Sequence, residues 1–257
     1  MEPSSNQPNP GKTRELNLQR TAEQFMAGIQ KHFDMLAFNL ASRQKVTEEA
    51  YLEKVSAAGM IPVQKAHQNF EQMQAYARDL MTAQVMNDNL NLAVSCMHQV
   101  HFFLILIRTQ KQEGKLSPEL QKAAQQEHQK FMQTPIDQKF NLLEEQFGVM
   151  AELEDGIMAL AHAMQAMSRQ RGVVQEAQLD ESKALTLELK KVPSFSSAPN
   201  LGGRLREMET VTKVFREGEK ITLSDQEMHQ LLFATAAFAH QMFSHVARFA
   251  KDAGAGK

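Results

Sequence analysis

The stretch Leu92–Ile107, LAVSCMHQVHFFLILI, decides how this chain folds. Only Ser95, His98, Gln99 and His101 interrupt its apolar residues. Drawn on a helix, His98 and His101 fall about 60° apart and greasy side chains fill the rest of the circumference. A helix that is apolar almost all round belongs inside a protein core. The run is shorter than the roughly 20 residues a bilayer requires, and it carries two imidazoles and an amide, so no integral membrane segment is expected.

The residues around it share its helical character. Ala, Leu, Met, Gln, Glu and Lys dominate, all good helix formers, and the 257 residues include 16 Met, no Trp and only 2 Tyr. Period-two runs of β-branched and aromatic residues are scarce, which argues against a sheet. The expected fold class is therefore all-α: a multi-helix bundle with several long amphipathic helices around a buried central helix, preceded by a flexible N-terminal tail.

Working outward toward the N-terminus, the polar cluster Asn87–Asn91 predicts a break or kink before the central helix. Upstream, Val63, Ala66, Phe70, Met73, Ala77 and Leu80 step by three and four as a coiled-coil-like seam. Leu18, Phe25, Ile29, Phe33, Leu36 and Leu40 mark a long amphipathic helix from Arg14 to about Ser42, and Thr47 caps a short one.

Toward the C-terminus, Ser117-Pro118-Glu119 reads as a helix start, and Thr134-Pro135 repeats the device. Apolar residues from Ile136 to Met167 then predict one long helix, kinked at Gly148 or Gly156. Asp180–Lys191 and Arg204–Arg216 read as two further helices. Ser224-Asp225-Gln226-Glu227 is a capping box, with Leu223 and Met228 as its hydrophobic staple, opening a Phe- and Ala-rich last helix. In domain terms this gives a disordered tail over 1–12, a helical bundle over 13–192, a linker over 193–203 and a C-terminal helical hairpin over 204–257.

The chemistry is less explicit. Lys+Arg total 28 against Asp+Glu 30, a net charge of −2 that offers no basic surface for nucleic acid. The one cysteine, Cys96, lies in the apolar run and cannot form an internal disulfide. With no signal-peptide pattern at the N-terminus, a cytoplasmic location is expected, export without a signal remaining open. No phosphate-binding glycine loop, nucleophile elbow, H-E-x-x-H or C-x-x-C-H pattern occurs. Neighbouring carboxylates such as Glu144-Glu145 point about 100° apart on a helix and form no acid/base pair.

These features favour a non-enzymatic protein without cofactor that acts through protein contact or self-association, as an adaptor, scaffold or assembly subunit. Leu231, Phe238, Phe243 and Phe249 on the last helix are the expected interface residues. The alternative is a bundle binding a metal, haem or hydrophobic ligand through core histidines, for which His98, His101, His162 and His240 are the candidates.

Overall fold

The computed structural model describes residues 17–55, 69–113, 117–191, 205 and 208–254. Among them are seven α-helices and one two-stranded sheet. The helices are α1 (Leu18–Lys45), α2 (Glu48–Val55), α3 (Phe70–Glu113), α4 (Pro118–Gln133), α5 (Ile136–Phe147), α6 (Glu154–Arg169) and α7 (Asp225–Asp252). Strands β1 (Leu185–Lys190) and β2 (Thr210–Phe215) lie between α6 and α7. The all-α bundle is thus present, with a small sheet added. The expected tail over 1–12, the linker over 193–203 and the start of the Val63 seam lie outside the described residues.

Two long helices organise the core. Helix α3 runs unbroken for 44 residues and α7 for 28. They lie parallel, as the contacts Arg78–Asp225 and Asn89–Thr235 show, at 2.9 and 2.5 Å. Helix α1 lies antiparallel to α7. Phe25 meets Phe243 at its start, Phe33 meets Phe233 in the middle and Arg43 meets Asp225 at its end. The small residues Ala234, Ala236, Ala237 and Ala239 thin α7 so that both neighbours approach closely.

The capping signals do what their chemistry requires. Ser224 Oγ accepts from Glu227 N at 3.2 Å while Glu227 Oε2 accepts from Ser224 N at 2.6 Å, closing the box that starts α7. Ser117 accepts from Leu120 N and starts α4, with Pro118 in its first turn. The Thr134-Pro135 pair departs from expectation. No side chain caps α5, and the Thr134 hydroxyl instead donates back to Lys130 O at the end of α4.

Four segments differ from the sequence reading. The polar cluster Asn87–Asn91 does not break α3. Asn89 donates to Val85 O within the helix and accepts from the Thr235 hydroxyl of α7, so its amide is satisfied without bending the backbone. The long helix expected over Ile136–Met167 is two helices. Gly148 sits at φ 64°, its N–H bonded to Glu144 O at 2.8 Å, and this left-handed stop ends α5. Gly156 has a separate role: a Cβ there would stand 3.1 Å from the Glu188 side chain, so it lets α6 pass close to β1.

The helices expected over Asp180–Lys191 and Arg204–Arg216 are strands. Leu185, Leu187 and Leu189 alternate at period two and all face inward, 1–2% exposed, against α6 and α7. Opposite them, Phe215, Lys213 and Val211 pair in antiparallel register from a β-branched segment, TVTKVF. The C-terminal part 204–257 is consequently β2 plus α7 and not a helical hairpin.

Helix α3 is the one described helix long and apolar enough to cross a membrane, but half of its apolar window is buried in the fold. Two apolar clusters make up the core. One joins the C-terminal half of α3 to α1, α4, α5 and α7, centred on Met97, Leu104, Phe131 and Phe238. The other joins Leu36 and Leu40 of α1, Val85 and Met86 of α3 and the N-terminal end of α7 to α6 and the sheet.

Candidate functional site

Two places carry features that core packing alone does not explain. The first is an imidazole cluster between α3 and α4. His98 and His101 project from the same side of α3, three residues apart, as the helical repeat requires. They meet His128, which α4 presents one turn before Phe131. His101 is 1% exposed, and its ring stacks on Phe131 with centroids 3.7 Å apart and planes 6° from parallel. Its Nδ1 lies 3.3 Å from Nδ1 of His128, so one nitrogen donates and the other accepts. The His98 ring stands edge-on to both His128 and Phe131, at 6.3 and 6.0 Å.

Cations border the cluster. Lys139 of α5 is buried, 3% exposed, with its Nζ donating to Met132 O and Thr134 O at the end of α4 and lying 5.2 Å from the Phe131 ring centre. Arg108 sits over Phe147 and holds Glu127 of α4 at 2.7 Å. Burial, then Lys139 and His128, push the His98 imidazole down to about 4. Burial, then His128, Arg108, His98 and Lys139, push His101 down to about 3. Burial also lowers His128 and the Lys139 amine. The neutral state of all three rings is therefore the one this environment favours at neutral pH.

The 3.3 Å separation is also roughly what two nitrogens on one tetrahedral zinc ion show. A third ligand is missing, however: among the described residues no group of three or more His, Cys, Asp or Glu is spaced to hold a metal ion. Two flanking cations oppose a metal further. Of the four histidines that are candidates for the alternative ligand-binding reading, His98 and His101 are brought together, while His162 lies on α6 and His240 on α7. His128 was missed by the sequence reading. Its signal was its place between Ala124 and Phe131, whose seven-residue spacing marks the buried side of α4. Cys96 is fully buried, and desolvation raises its thiol far above the ordinary value, so it is no nucleophile.

The second place is an apolar groove of about 350 Å³ between α1 and α3, floored by Leu36, Val85 and Leu232. Met35 and Leu80 rise on its two sides, 58% and 53% exposed. Phe38, one turn along α1 from Met35, is 67% exposed. The rim carries His32 and Asp88, which face each other across the groove at 3.5 Å, and the neutral Asn39 and Gln84.

The expected interface residues lie elsewhere. Leu231, Phe238 and Phe243 are buried within the chain, Phe238 completely. Phe249 is partly buried against Phe147, with ring centres 5.8 Å apart. Comparison with protein families, with curated proteins and with solved structures gives no match for this chain.

Proposed function

We propose that the protein is a non-enzymatic contact protein, an adaptor or assembly subunit, whose docking face is the groove side of α1 and the first half of α3. One observation carries this reading. Of the nine large hydrophobic residues that stand exposed among the described residues, four (Met35, Phe38, Tyr76 and Leu80) lie on these two helices, and Met35 and Leu80 line the groove itself. Scattered single hydrophobics are ordinary on a surface, whereas a concentration beside a groove marks a place of contact.

The chemistry of the face describes its partner. Parallel apolar walls and a largely uncharged rim suit an amphipathic helix with an apolar stripe and neutral flanks, supplied by another protein or by a second copy of this chain. The Phe- and Ala-rich last helix, an obvious docking candidate by composition, supports the face from beneath through Leu232.

The test pairs the wild-type chain with Met35→Asp/Phe38→Asp. Cross-linking capture from native cells reads a foreign partner, and light scattering reads self-association. The expected result is a partner or second copy held by wild type and weakened about tenfold or more in the variant, with far-UV circular dichroism unchanged. Equal capture and equal mass for both proteins overturn the proposal.

A further inference from the structure

The imidazole cluster is far from idle packing material. It lies in the contact between α3 and α4, and a hydrogen bond between two histidine nitrogens is a bond that protonation of both rings destroys. With both rings neutral, the 3.3 Å separation is served by one shared proton. A first added proton goes to an outer ring nitrogen and places a buried positive charge in the contact; when both rings are protonated, two N–H groups face each other and the contact becomes repulsive.

On the His101 side the surroundings are apolar rings and cations, which give that charge little relief. From α3 the cluster is faced by His98 and Arg108, from α4 by His128 and Glu127, and from α5 by Lys139. Glu127, the carboxylate at this contact, is held by Arg108. The remaining neighbours of His101 are the rings of Phe131 and Phe147. His98 Nε2 and Gln99 Oε1 are buried without a hydrogen-bond partner in the adjoining cleft, so the contact is already short of polar satisfaction before any proton is added.

We propose that the α3–α4 contact is an acid-labile latch: protonation of the His101–His128 pair frees α4 from α3 and bares the apolar strip around Phe131 and Ala124. The sign follows from linkage. These histidines bind protons less readily in the closed fold than in the open chain, so the closed form is fully favoured above the ordinary histidine value near 6.5. That preference is lost progressively as pH falls below it toward the folded values of about 4 for His98 and about 3 for His101. Elevation of pH back to neutral restores the neutral pair and recloses the helix.

Hydrogen exchange on the full chain, read by mass spectrometry as protection factors at pH 7.5, 5.5 and 4.5, tests the latch. Protection of α4 is expected to fall at least about a hundredfold from pH 7.5 to 4.5, since a single such histidine contributes tenfold for each unit below 6.5. Protection of the middle of α7 is expected to hold. In His101→Phe/His128→Gln the fall is expected to shrink by about tenfold or more. If that variant lacks native circular dichroism, His128→Gln alone replaces it, with the α4 midpoint expected to move down by about one pH unit. The latch is overturned by α4 protection that does not change with pH, by α7 opening in step with α4, or by a variant that keeps the wild-type midpoint.

Discussion

The two halves of α3 belong to one unbroken helix and obey different rules. From Leu92 to Ile107 the helix is enclosed by α1, α4, α5 and α7, with Met97, Val100 and Leu104 at zero exposure. From Phe70 to Ala83 only Thr82 is buried, and Leu80 is more than half exposed. The first half carries a three/four seam of Phe70, Met73, Ala77 and Leu80, whereas Leu92–Ile107 is apolar almost all round. Periodicity therefore identifies a helix and its apolar side, but it does not say whether that side is covered by the same chain. The covered half holds the fold together, and the other, partly buried at Phe70, Met73 and Ala77, presents Leu80 at its surface.

The largest expected effect contrasts the halves directly. Leu104→Ala removes a fully buried side chain and is expected to cost about 2–5 kcal/mol, whereas Leu80→Ala is expected to stay within about 0.5 kcal/mol. Urea denaturation measures both, and equal costs would abolish the distinction.

A smaller effect concerns the cover over the buried half. Lys139→Met leaves the Met132 and Thr134 carbonyls at the end of α4 without their donor. The expected cost is about 1–3 kcal/mol, accompanied by faster exchange at the end of α4. An unchanged or more stable protein would mean that desolvation of the amine outweighs its hydrogen bonds.

The smallest effect lies near the boundary between the halves. Thr235→Val removes the hydroxyl that donates to Asn89 Oδ1 and leaves that buried oxygen unpaired. About 1–2 kcal/mol is expected, with exchange in α3 rising around Asn89 more than around Leu104. A uniform rise along α3 would show that the two halves are not separately supported.

Much of the helical framework was legible because its signals are local. The Ser224 box, the Ser117-Pro118 start and the Phe25–Leu40 stripe each need only a few residues of context, and each is found in the structure. The strands were hidden by composition. Leu, Glu and Lys in LTLELK favour a helix by propensity, and the inward alternation of its leucines outweighs that preference only when α6, α7 and β2 are there to pair and pack. The candidate site was half visible. His98 and His101 could be placed on one side of a buried helix, but their partner His128 is 27 residues away and meets His101 only after α4 folds back onto α3.

By itself, then, the sequence determined the class of the fold, the starts of its best-capped helices and which stretch of α3 goes inside, since backbone propensity, capping and apolar periodicity act over a few neighbouring residues. Tertiary structure alone decided the rest. It fixed which apolar side is left bare, which histidines share a proton and which leucine-rich segment extends into a strand. Those outcomes depend on what is brought alongside from distant parts of the chain, and burial and pairing energies are large enough to override local preference.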